Sequence, residues 1–212
     1  ITNRDNAMLR YNLTYITVPP TGMQKALSGL QAWLETSPLK GKFLACWTSE
    51  IGELSRILLV HGYDVIADIP RDRETVIYSD NPFGIGDLIV SMETDAYTPL
   101  NGLPEIIAGE MGPVFEVRTY KLKPGGLTPT LDAWTKAVGP RSAYSKLLSF
   151  MYAVGGEVPR IVHIWPYKSF DERFAIRAKT VAEKVWPPAG APPHLAAMRS
   201  EIFLPASFSP VR

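Results

Sequence analysis

The chain of 212 residues has a single cysteine, Cys46, which excludes an internal disulfide framework and fits a reducing compartment. Cys46 lies in the apolar run "FLACW", the setting of a buried thiol rather than a nucleophile. Histidine is scarce too. His61, His163 and His194 have no metal-ligand spacing, and no cysteine or carboxylate cluster joins them, so no metal is expected. An excess of one charge is missing: 22 Lys and Arg stand against 21 Asp and Glu. The bases are interleaved with acids, as in "PRDRE" and "DERFAIR", which argues against nucleic acid as a partner. No apolar run approaches the ~18 to 20 residues of a membrane-spanning helix. "GIG" at Gly84 to Gly86 lacks the rest of a dinucleotide fingerprint. No cofactor is expected, since there is no phosphate loop and a haem ligand such as His163 would be hemmed by Ile161 and Trp165. The sequon at Asn12 falls in a predicted strand and is discounted. The sequence starts at Ile1 and shows no signal peptide. Cytoplasmic residence is the expectation, with a processed or exported form left open.

What the chain does contain is repetition. "LTYITVPPTG" near the start returns as "VRTYKLKPGG" at Val117 to Gly126, and "LQAW" at Leu30 returns as "LDAW" at Leu131. "GELSRILLVHGY" at Gly52 returns as "GEVPRIVHIWPY" at Gly156, and "METDAYTP" is answered by "MRSEIFLP". Four matched blocks in one order, each about a hundred residues from its match, make the chain a duplication. The expected units are 1–110 and 111–212.

Each copy reads as strand, helix, two strands, helix, strand. Strands are predicted over Leu9 to Val18, Lys42 to Thr48 and Arg56 to His61, then over Val114 to Leu122, Lys146 to Ala153 and Arg160 to Trp165. "EIGE" and "VGGE" supply the hairpin turns. The result is α+β: two ferredoxin-like βαββαβ repeats. Such a repeat has helices on one face of its sheet only, so the second copy is the expected cover for the other face.

The blocks "VFEVRTYKLKPG", "GGEVPRIVHIWPYKSFDER", "IRAKTVAEKVW" and "EIFLPASFSP" in Pro113 to Arg212 resemble the NIPSNAP family of the dimeric α+β barrel superfamily. The resemblance implies two repeats joining their sheets into an α+β barrel, here within one chain. It implies no settled reaction, because relatives in the superfamily range from cofactor-free monooxygenases to haem proteins.

Period two puts Glu116, Arg118 and Tyr120 on one strand face and Phe115 and Val117 on the other. The apolar face suits packing under helices, so the charged one is expected to point into the barrel, as a pocket lining or as a structural ion pair. In the next block Ile161, His163 and Trp165 share a face; His163 is the candidate general base, or else a packed and hydrogen-bonded histidine. Tyr152 and Tyr167 are candidate hydrogen-bond donors to a ligand, or ordinary half-buried strand tyrosines. "SFDE" at Ser169 to Glu172 is a capping box that starts a helix whose expected buried stripe is Phe170, Phe174, Val181 and Val185. Arg173 and Arg177 stand beside that stripe, placed to clamp a carboxylate or phosphate, or to bridge to surface acids.

Two functions fit these residues. One is a small-molecule site in the barrel for an aromatic or acidic ligand, with cofactor-free acid–base or monooxygenase-like chemistry. The other is a non-enzymatic interaction or structural module, a possible homo-oligomer, whose barrel is filled with side chains.

Overall fold

Alternating residues in the strands leave each sheet with two unlike faces, and both must be covered. A computed structural model describes residues 10–212. The first repeat is β1 (Arg10–Thr17), α1 (Met23–Leu34), β2 (Lys42–Ile51), β3 (Arg56–Tyr63), α2 (Asp68–Ile77) and β4 (Ser91–Pro99). The second is β5 (Val114–Leu122), α3 (Leu127–Ser142), β6 (Ser149–Ala153), β7 (Arg160–Tyr167), α4 (Phe170–Ala182) and β8 (Leu195–Pro205). Leu9, expected to open the first strand, lies outside the described residues.

The eight strands close into one barrel in the order β1-β3-β2-β8-β5-β7-β6-β4. The seams between repeats are antiparallel pairings of β2 with β8 and of β4 with β6. Closure lets each apolar sheet face cover the other. Tyr11 and Leu13 of β1, Trp47 of β2, Leu58 and Val60 of β3, Phe115 and Val117 of β5 and Phe203 of β8 all enter one core.

This core corrects an expectation. Phe115 and Val117 point into the barrel, so Glu116, Arg118 and Tyr120 point outward, beneath the helices of the second repeat. Period two separates the faces but does not say which is inside. The filled barrel claims the apolar one.

Equivalent residues of the two repeats stand at the same end of the barrel and reach across it. Arg56, almost fully buried, meets Glu201 at 3.1 Å, and Arg160 meets Asp95 at 2.6 Å. Each guanidinium also lies over a tyrosine, Tyr15 at 4.4 Å and Tyr97 at 5.5 Å. The opposite end is sealed by Ile106, Met111 and Val211. There Trp47 stacks on Phe115 at 4.3 Å and donates a hydrogen bond to the Val211 carbonyl.

A polypeptide of residues 113–212 alone would expose Phe115, Val117, Val162, Ile164 and Phe203. It should therefore pair with a second copy or aggregate. Sedimentation of a folded, stable monomer would contradict the mutual covering of the sheets.

Candidate functional site

The layer between the second-repeat sheet and helices α3 and α4 holds most of the residues singled out above. Its centre is Glu116, fully buried in mid-strand. One carboxylate oxygen, Oε1, accepts hydrogen bonds from Arg118 Nη1 at 2.6 Å, Arg173 Nη2 at 2.7 Å and Ser200 Oγ at 2.7 Å. The other, Oε2, has Arg177 at 3.7 Å and no hydrogen bond. Burial alone would raise this carboxyl. The Arg173 hydrogen bond, the Arg118 charge, Ser200 and Arg177 together bring it down to about 2.

Two arginines reach Glu116 because α4 is turned differently from the expected stripe. Its start is the capping box as read: Ser169 Oγ accepts from the Glu172 amide, and the Glu172 carboxylate accepts from the Lys168 amide. Phe174 and Val181, however, are exposed, at 62% and 57%. Thr180 is buried, and Phe170, Ile176, Arg173 and Arg177 are half-buried. A buried carboxylate beneath the helix makes the arginines the inner face.

Beside this cluster lies an aromatic one. His163 is buried among Tyr120, Trp134 and Phe150. Its Nδ1 accepts a hydrogen bond from Trp165 Nε1 at 2.7 Å, so the neutral ring carries its proton on Nε2. Burial first, then the Arg118 charge, hold its pKa well below the histidine range. With Nδ1 occupied and Nε2 protonated, His163 is arranged to donate a hydrogen bond rather than to take a proton. Nε2 has no partner. Tyr120 accepts a hydrogen bond from Arg118 Nε at 2.6 Å. Tyr152 packs at the margin of the same layer.

Tyr167 Oη is also buried and unpartnered, as is Arg173 Nε. Burial, then the Glu116 charge, push the Tyr167 phenol up, so it keeps its proton. Beside Tyr167 opens a recess of about 270 Å3, bounded by Met111, Tyr144, Ser145, Pro166 and Lys168.

Two members of the site were not legible. Arg141, almost fully buried, lies over Trp165 at 4.3 Å and Trp186 at 5.7 Å, and approaches Tyr167 without the alignment of a hydrogen bond. "GP" at Gly139 and Pro140 reads as a helix end, yet α3 continues through Pro140 to Ser142. Ser200 sits in the matched block "MRSEIFLP", and its alternation with Ile202 was the available signal.

The first repeat has the same layer with a different lining. Asn12 occupies the place of Glu116 and accepts from Arg73 Nη2 at 2.8 Å. Asp72 is satisfied by the amides of Lys40 and Gly41 and by Tyr63 Oη. The cavity left among Asn12, Thr14, His61 and Thr94 is about 20 Å3, the size for a water. Among the described residues no group of His, Cys, Asp and Glu could hold a metal, and no helix is long and apolar enough to cross a membrane.

Between about pH 4.5 and 2 the unfolded chain binds a proton at Glu116 that the folded chain excludes. Stability therefore falls with pH across this window, by on the order of 3 kcal/mol. His163 acts in the same direction from pH 6.5 downward, because only the unfolded ring protonates readily there. Denaturant titrations at a series of pH values should show the decline start near pH 6.5 and steepen below 4.5. Glu116→Gln should lower stability at neutral pH and flatten the acid limb. An unchanged acid limb in that variant would assign it to other carboxylates.

The geometry can be set beside known proteins. The NIPSNAP family model matches residues 115–210. A NipSnap homologue of Dictyostelium discoideum is 40% identical over 73 residues, covering 34% of this chain and 33% of that protein. Human NipSnap homologue 3B is 33% identical over 86 residues, covering 40% and 35%. The match thus spans about a third of the length of these relatives. The Drosophila melanogaster NipSnap protein aligns across both repeats, 22% identical over 187 residues, covering 81% of this chain and 66% of its own. Among solved structures, a candidate monooxygenase from Lactobacillus acidophilus superposes with a TM-score of 0.68 at 7% identity, covering 93% of this chain and 94% of that one. An anthrone oxidase-like protein gives 0.64 at 13% identity, covering 94% and 92%. These two likenesses concern the barrel fold. The family likeness rests on sequence, and residues 115–210, nearly all of the second repeat, carry the match to the NIPSNAP model.

Proposed function

We propose that this chain binds a small carboxylic acid with an aromatic body in the layer beneath α3 and α4 of the second repeat. The observation that carries the reading is a charge imbalance. Four guanidinium groups, from Arg118, Arg141, Arg173 and Arg177, surround one carboxylate, Glu116. Buried excess positive charge favours an anion. The donors left without partners, Tyr167 Oη, His163 Nε2 and Arg173 Nε, suit its oxygen atoms. Trp134, Trp165 and Trp186 supply aromatic surface for its body. If chemistry follows binding, this set favours steps in which negative charge develops on a ligand oxygen, because the neutral donors Tyr167 Oη and His163 Nε2 are free to meet it. His163 then acts as a donor and not as a base.

A second reading is a non-enzymatic module. The filled barrel favours it, as does the water-sized cavity of the first repeat.

Thermal melting with a panel of aromatic and aliphatic carboxylates and phosphates separates the two. Saturation at about 100 times Kd adds about 2.7 kcal/mol by mass action, a rise of several degrees. Aromatic acids should give this rise with the wild type. Arg177→Gln and Tyr167→Phe should abolish it while leaving the melting of the unliganded protein nearly unchanged. A panel without effect on the wild type would favour the module.

A further inference from the structure

The barrel is sealed at one end only. At the other, between β4, β5, β7 and β8, a recess of about 350 Å3 opens, bounded by Glu93, Thr119, Lys121, Glu157, Arg160 and Arg199. We propose that this mouth is a second binding site, for a small zwitterion of the α-amino acid class.

The charges around the mouth decide the class of ligand. Four bases, Arg56, Lys121, Arg160 and Arg199, face five acids, Glu53, Glu93, Asp95, Glu157 and Glu201. They are tied as Arg56–Glu201 and Arg56–Glu53, both at 3.1 Å, Arg160–Asp95 at 2.6 Å, Lys121–Glu157 at 2.7 Å and Arg199–Glu201 at 3.0 Å, with Glu93 at 3.7 Å from Arg56. One negative charge is left over, and it does not by itself set the class of ligand. The arrangement is nevertheless polarised. Glu93 pairs with Tyr15 across β4 and β1, and Arg199 pairs with Thr119 across β8 and β5. The two pairs are equivalent positions of the two repeats, so an acid stands on one side of the mouth where a base stands on the other. Two identical subunits would place the same charge on both sides. Only a duplicated chain can hold this dipole, and its complement is a ligand with an ammonium at one end and a carboxylate at the other.

The walls also carry polar atoms without partners. Thr119 Oγ1 and Arg160 Nε border the recess and make no hydrogen bond. Tyr15 Oη, deeper in the same end, makes none either, and burial keeps its phenol protonated. Thr119 and Arg160 lie on the side of Arg199, where a carboxylate would sit. Glu93, on the opposite side, then faces the ammonium.

The side chains of Glu93 and Arg199 are 74% and 50% exposed, so exchanging them tests binding at little cost to the fold. Calorimetric titration of the full chain should use small, polar and aromatic L-amino acids. The amine and the carboxylate of matching length serve as controls. At least one amino acid should bind with Kd on the order of 1 mM or tighter, and either control alone about tenfold more weakly. Glu93→Gln and Arg199→Gln should each weaken binding about tenfold, and the exchange Glu93→Arg with Arg199→Glu should restore it. Arg177→Gln should leave it unchanged, which distinguishes the mouth from the arginine cluster. The proposal is overturned if the carboxylate alone binds as well as the amino acid, or if Glu93→Gln is silent. It is equally overturned if nothing in the panel binds, the mouth then holding only solvent.

Discussion

Everything in this molecule depends on covering the second face of each sheet. A βαββαβ unit shields one face with its own helices and leaves the other apolar and bare. Closing two such sheets into a barrel covers both at once, and it fills the interior with Tyr11, Trp47, Phe115, Val117 and Phe203. A dry, filled barrel has no room for charge except near its ends. Polar chemistry is therefore displaced to the layers under the helices and to the open mouth. Arg56 and Arg160 show what charge at that end requires, each meeting an acid of the other repeat and lying over a tyrosine.

Duplication within one chain allows the repeats to diverge in ways that two identical subunits could not. In the second repeat a carboxylate occupies mid-strand at Glu116, and α4 answers with Arg173 and Arg177. In the first, Asn12 takes that place and a single arginine, Arg73, meets it. Both layers keep the same hydrogen-bonding direction, a strand acceptor and a helix guanidinium. They differ in how much charge each must bury, and neutral Asn12 is met by one guanidinium where Glu116 gathers three hydrogen-bond donors and the nearby charge of Arg177. Among the described residues, a strand carboxylate ringed by arginines is accordingly found in the second repeat alone.

The architecture was legible because it rests on local periodicity and on blocks that recur in order. β5 was read with its observed bounds and β1, β2, β3, β6 and β7 within a few residues, while β4 and β8 were expected without bounds. Orientation was less legible. Alternation sorts Glu116 from Phe115 without saying which side will be dry, and that depends on a barrel the strand cannot see. The α4 stripe failed for a related reason. Phe174 and Val181 are the apolar choice by spacing, yet the helix turns its arginines inward because Glu116 lies beneath them. Arg141 was hidden by Pro140, since proline's cost inside a helix is real but can be overcome by packing such as that of Trp134 and Arg141.

The seam of β2 with β8 joins the second strand to the eighth, Trp47 opposite Pro205. During synthesis the first repeat can form its own helices and strands long before β8 exists to complete its cover. At ~5 to 20 residues per second, the remaining stretch takes on the order of ten seconds to emerge. Through that interval the face carrying Tyr11, Leu13, Leu58 and Val60 is bare. Fusing two subunits into one chain spares the protein a search for its partner. In return, the first half must wait, sticky and incomplete, for the ribosome to deliver the second.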